Sequence, residues 1–193
     1  MGKSRVEAFT DGVVAIVITI MVLELKVPQS GDLAALQAGI PVFLTYVLSY
    51  VNVGIFWNNH HHMLHAAERV DGRVLWANLF LLFWISLIPF VIRWIGDAGV
   101  TALPVAAYGL VLAMAAVGYT LLQWAIIACG GPTSTLAAAI GSDRKGKLSL
   151  SLYVLAIPLA FVDFRIAIAL YVVVALIWFV PDRRIEAFAQ RKG

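Results

Sequence analysis

The sequence predicts an all-α membrane protein with six transmembrane helices per chain. Three observations carry that expectation. The chain has 193 residues, of which 62% are hydrophobic and only 13% charged, against roughly a quarter charged in soluble domains. Its apolar stretches are long and unbroken, whereas a transmembrane strand needs about 9 to 11 residues of alternating polarity. Its basic residues are distributed unevenly over the connecting segments.

The first apolar stretch, 9–27, follows Lys3, Arg5 and Glu7 and retains Asp11. An uncompensated charge at the bilayer centre costs about 2.5 to 3.5 kcal/mol even on lenient scales, so Asp11 needs a partner or a function. The basic start followed by an apolar run mimics a secretory signal, but Asp11 interrupts it and no small-x-small site follows, which predicts a retained helix. Stretches 35–59, 74–95 and 103–128 follow, separated by loops rich in Gly, Pro and charge. The last two, 148–162 and 165–181, are short and divided by Val162-Asp163-Phe164-Arg165, which suits a tight helical hairpin. Pro41, Pro89 and Pro158 lie within spans and should kink them. No linker or composition shift divides residues 1–193, so a single domain is expected.

Orientation follows from the cations. Lys3, Arg5, Arg69, Arg73, Arg144, Lys145, Lys147, Arg183, Arg184, Arg191 and Lys192 fall on one side, and Lys26, Arg93 and Arg165 on the other. That bias predicts both termini in the cytoplasm, an even number of spans and residence in the cell's inner membrane. The net charge of +3 expresses this leaflet preference and gives no reason to expect a nucleic-acid partner. The lone Cys129 excludes an internal disulfide and reads as a small apolar residue.

Within the first helix, at about 100° per residue, Phe9, Gly12, Ile16, Thr19, Ile20 and Leu23 form one stripe, with Glu7 and Asp11 on the opposite side. Asp11 can then face protein, buried and paired, while Ile16 faces something else. Periodicity leaves the stripe open between lipid or core packing and a wetted pathway. Gly12 and Thr19 suit close helix approach or a wet surface better than lipid.

The run Arg5-Val-Glu-Ala-Phe9-Thr10-Asp11-Gly12 resembles the RxxxFSDG signature of the transmembrane protein 175 family of potassium channels, in its short six-helix prokaryotic form, with Thr10 in place of the signature serine. Residues 22–28, 56–62, 73–78 and 83–89 are similar to further family stretches, so the match is specific over helices 1 to 3. The resemblance implies a homotetramer around a central pore, lined by four copies of helix 1 and permeable to potassium and other monovalent cations. It implies no TVGYG filter, and the chain contains none. It further implies a hydrophobic gate at Ile16, narrow layers at Ile20 and Leu23, and ion preference at Thr19. The signature is expected to pack against polar residues of helices 2 and 3, with His60, His61, His62, Trp76 and Asn78 as candidates.

His60, His61, His62 and His65 invite a metal reading, yet no second ligand cluster completes a site, so no metal or other cofactor is expected. Interfacial hydrogen bonding and pairing with the signature acids remain open for them. The tryptophans, Trp57 among them, fall mostly near span ends, as an aromatic belt requires. Glu24, near the outer mouth, either concentrates cations or pairs with Lys26. The competing function is a proton-coupled secondary transporter relaying through Asp11 and the His60–His65 run. No nucleophile–base constellation suggests an enzyme.

Overall fold

A computed structural model describes residues 2–67, 69–131, 136–137 and 143–179. The cations Arg183, Arg184, Arg191 and Lys192, used above for orientation, lie outside the described residues.

The described chain is helical, in the order α1 (Lys3–Leu23), α2 (Leu33–His65), α3 (Gly72–Ser86), α4 (Ile88–Ala98), α5 (Ala102–Gly130), α6 (Arg144–Leu159) and α7 (Phe164–Phe179). These make six spans, because α3 and α4 are one apolar segment, Gly72–Ala98, divided at Leu87. The division has a local cause. Pro89 has no N–H to give and its ring crowds the carbonyl four residues back, so the hydrogen-bond ladder is interrupted one turn earlier. Four segments are long and apolar enough to cross a membrane, namely α1, α2, the α3–α4 unit and α5. The remaining two, α6 and α7, are 16 residues each and form the expected hairpin.

Side chains and chain chemistry set the helix boundaries. Asp32 caps α2 by accepting the Ala35 N–H at 2.8 Å. That hydrogen bond, with the Ser30 hydroxyl in support, holds the Asp32 carboxyl below the usual carboxylate range. Asp71 caps α3 by accepting the N–H groups of Arg73 and Val74, both at 3.0 Å. Asp163 begins α7 by accepting the Arg165 N–H at 2.9 Å. Helix α1 starts well before the apolar run, so the whole signature is helical. Charge argues against bilayer depth, not against helix, and nothing from Lys3 to Phe9 breaks the ladder. Helix α2 has 33 residues, about 50 Å at 1.5 Å per residue, so its ends project beyond a hydrocarbon layer of about 30 Å.

Helix α5 is the hub, packed against α3, α4, α6 and α7. At Gly118 it approaches α3 closely, since an added Cβ would stand 2.8 Å from the Leu81 Cα. Small residues at such crossings let helices pack where lipid supplies no hydrophobic drive. Hydroxyls inside the bundle find partners: the Tyr108 hydroxyl accepts from Ser49 Oγ at 3.0 Å, and Tyr153 donates to Asn52 Oδ1 at 3.3 Å, while the buried Trp84 indole N–H has none among the described residues. Helix α1 lies at the edge of this bundle, against α2, α3 and α4.

Candidate functional site: the two faces of the first helix

Val6, Thr10, Val14, Val17 and Met21 are the buried residues of α1 and follow one another at three- and four-residue steps. This stripe docks the helix on its neighbours. The opposite face has no partner within the chain. Phe9, Gly12, Ile16, Thr19, Ile20 and Leu23 are all exposed, Ile16 at 59% and Leu23 at 80%. A Cβ added at Gly12 would meet nothing within 4 Å. The structure therefore places all six residues of the predicted stripe on a free face running the length of α1.

Thr19 is tied to its own helix. Its hydroxyl lies 2.9 Å from the Ile16 carbonyl and 3.1 Å from that of Ala15. A hydroxyl has one proton to donate and two acceptor positions. With the proton directed at the backbone, the oxygen lone pairs remain on the free face.

The signature residues divide between the faces otherwise than expected. The buried polar member is Thr10, at 1% exposure, and not Asp11. Thr10 Oγ1 accepts from Asn78 Nδ2 at 3.0 Å, and Asn78 Oδ1 lies 2.7 Å from His60 Nε2. An amide oxygen can only accept, so His60 donates through Nε2. Thr10, Asn78 and His60 thus link α1, α3 and α2 in one buried chain. Asp11 is exposed in the protomer and accepts the Trp57 indole N–H at 2.8 Å. Two positions on a helix lie about 100° apart when adjacent, so only one of Thr10 and Asp11 can occupy the buried stripe.

The other candidates fall as follows. Trp76 is 75% exposed and stands away from the buried chain. Arg5 is exposed, while Lys3 donates to the His65 carbonyl at 2.8 Å and ties the start of α1 to the end of α2. His61 stacks on His65, ring centroids 6.2 Å apart, and lies tilted against Trp57 at 6.3 Å, so the histidine run splits into one buried and several outlying members. Among the described residues no group of three metal-ligating side chains comes together. Glu24 pairs with Arg93 at 3.1 Å, not with Lys26, which pairs with Asp97 at 2.6 Å. Sequence reasoning missed Trp57 as the Asp11 partner, having assigned it to the belt. It missed Arg93 and Asp97 too, although their four-residue spacing on α4 was a legible hint of a charged patch.

Known proteins are similar to this chain in sequence and fold. The family described as "Endosomal/lysosomal potassium channel TMEM175" matches residues 5–89. A protein of Chryseobacterium sp. (strain P1-3), named as a potassium channel, is 52% identical over 96% of this chain and 97% of its own length. One from Streptomyces collinus, named likewise, is 31% identical over 90% of each chain. The human protein named endosomal/lysosomal proton channel TMEM175 is 38% identical, but over 43% of this chain and 19% of its own. In fold, the chain matches the crystal structure of a protein described as a lysosomal potassium-selective channel TMEM175 homolog from Chamaesiphon minutus, with a TM-score of 0.82 over 93% of this chain and 97% of that one, at 24% identity. With half its residues identical to one bacterial relative along nearly the whole of both chains, and with the same six-span fold, this protein belongs to the TMEM175 channel family as a prokaryotic member.

Proposed function

We propose that the protein is a potassium-permeable cation channel, a homotetramer in which four copies of α1 surround the pathway. The observation that carries this reading is the two-faced α1: a helix of 21 residues, about 31 Å long, docked by one stripe and free along the other. Four such faces around an axis form an apolar tube with a hydroxyl ring within it. The names of the bacterial relatives as potassium channels support the permeant ion.

Ile16 stands mid-helix on the free face and forms the gate. A narrow apolar ring dewets, and a cation cannot shed its hydration there, so ions are blocked without a plug. Ile20 and Leu23 continue the constriction. Thr19, whose proton is held by its own helix, offers four oxygens to a partly dehydrated cation. This is a weaker filter than stacked carbonyl rings, so potassium preference is modest. The Thr10–Asn78–His60 chain and the Trp57–Asp11 contact hold the back of α1 in register. Glu24, engaged by Arg93, tethers the mouth more than it attracts ions. The basic bias of the connecting segments supports cytoplasmic termini in a cell inner membrane. The carrier reading draws less support: among the described residues the hydrogen bond of Asp11 goes to Trp57 and not to a histidine.

Single-channel recording in planar bilayers tests the proposal. Unitary steps are expected, which a carrier does not give. Ile16→Ala and Ile16→Asn should raise resting current, while Thr19→Ala should keep current and shift the reversal potential toward sodium. Unchanged leak in both Ile16 variants with unchanged selectivity in Thr19→Ala would remove α1 from the pathway.

A further inference from the structure

A second feature lies away from α1. Between α2 and α7 runs a groove of about 700 Å³. Its α2 wall extends from Pro41 to Val51, about 15 Å at 1.5 Å per residue, which is the depth of one leaflet of a hydrocarbon core about 30 Å thick. Its lining is apolar, and the few hydroxyls there are already engaged. Thr45 donates to the Pro41 carbonyl, Tyr108 accepts from Ser49, and Tyr171 donates to the Val105 carbonyl.

One lining residue is neither apolar nor engaged in this way. Arg165, second residue of α7, sits at the α6–α7 end of the groove and is exposed, its guanidinium 5.8 Å from the Phe164 ring centroid. Among the described residues the ion pairs at this end of the bundle hold Lys26 and Arg93, and none holds Arg165. The nearby acids are already used within the chain. Glu24 takes Arg93, Asp97 takes Lys26, Asp32 caps α2, and Asp163 accepts the Arg165 backbone N–H. Within the described chain no carboxylate pairs with the Arg165 guanidinium, and a phospholipid phosphate at the mouth of an apolar groove supplies that counter-charge.

We propose that this groove holds one acyl chain of an anionic phospholipid, with the phosphate bound by Arg165. Depth, apolar lining and a single cation at the mouth match an acyl chain beneath a charged headgroup, and the planar guanidinium fork suits phosphate oxygens. The site stands apart from the α1 face and does not depend on how ions pass.

The test uses the full chain in nanodiscs of phosphatidylcholine and phosphatidylglycerol at 3:1, released and weighed by native mass spectrometry with bound lipid counted per chain. Wild type should retain phosphatidylglycerol over phosphatidylcholine by about tenfold, because both lipids carry the phosphate but the choline ammonium of phosphatidylcholine neutralises its own phosphate and repels the guanidinium. Arg165→Gln should abolish that preference, and Lys147→Gln, at the other end of the bundle, should not. Val47→Trp and, separately, Leu44→Trp should fill the groove and lower retention of both lipids, at an oligomeric mass equal to wild type. Equal retention of the two lipids by wild type, or a preference that survives Arg165→Gln, overturns the proposal. So does cross-linking between copies by Leu44→Cys with Leu176→Cys in a Cys129→Ser background, since a second copy would then cover the groove.

Discussion

Replacing Asn78 with leucine removes the middle member of the buried chain that joins the first three spans. Asn78 is 2% exposed, His60 3% and Thr10 1%, so no water replaces what is lost. The His60 N–H, now 2.7 Å from the amide oxygen, is left unpaired, at about 1 to 3 kcal/mol for a buried donor. Thr10 can turn its hydroxyl to a carbonyl of its own helix, as Thr19 does, and loses less. The sum is about 2 to 4 kcal/mol, or a fall in melting temperature of about 5 to 10 °C. His60→Leu should cost less, because Thr10 Oγ1 already lies 3.4 Å from Asn78 Oδ1 and can supply a proton to it. The double variant, apolar on both sides, should cost less than the two single variants together by about 1 to 2 kcal/mol. Asp11→Ala removes one exposed hydrogen bond, from Trp57, and should cost about 0.5 to 1.5 kcal/mol. Thermal unfolding of the purified protein followed by tryptophan fluorescence measures all four. Asn78→Leu within about 0.5 kcal/mol of wild type, or an additive cycle, refutes the reasoning, since a coupled buried network must give a non-zero interaction term.

Three further substitutions separate fold from surface. Gly118→Ala drives a Cβ to 2.8 Å from the Leu81 Cα, a backbone atom, and should destabilise by about 1 to 3 kcal/mol through overpacking; Gly12→Ala meets nothing in the protomer, so its effect should be confined to assembly or current, and equal melting losses for the two would contradict this. Glu24→Gln removes the nearer carboxylate of Arg93, whose side chain is 64% exposed and keeps Asp97 at 3.6 Å, so the loss should be about 0 to 1 kcal/mol and vanish in molar salt; a loss that persists in salt means the pair is desolvated by a partner copy.

The spans were legible because their signal is one of bulk composition. Six stretches of the sequence correspond to six helical segments, and Pro89 marked the place where the third divides at Leu87. The apolar run 9–27 is shorter at its start than α1 because hydropathy reports depth in lipid, and the residues from Lys3 to Ala8 are helical outside it. In the site, the stripe of Ile16, Thr19, Ile20 and Leu23 came from periodicity alone. The burial of Thr10 in place of Asp11 did not, because a carboxylate in an apolar run draws attention to itself and a threonine does not. The partners of Glu24 and Asp11 were out of reach for another reason. Arg93 is 69 positions from Glu24 and Trp57 is 46 from Asp11, and only the packing of α1 on α2 and α4 brings either pair together.

The two faces of α1 are almost equally apolar, so hydrophobicity cannot say which surroundings each meets. Nor does Thr19 decide it, because a hydroxyl that donates to its own helix carbonyl is tolerated in lipid as well as in water. What differs between a pathway and a lipid surface is the response to a new polar group. An asparagine at position 16 facing hydrocarbon must leave its amide unpaired, which disfavours insertion and leaves conduction untouched. The same amide facing a dewetted axis hydrates the constriction and opens it. Ile16→Asn therefore has opposite consequences under the two readings: poor membrane yield and silent bilayers if the stripe faces lipid, normal yield and raised resting current if it faces the axis. Because lipid exposure lowers yield without raising current, and axial exposure raises current without lowering yield, one variant distinguishes the surroundings of a face that composition and periodicity leave open.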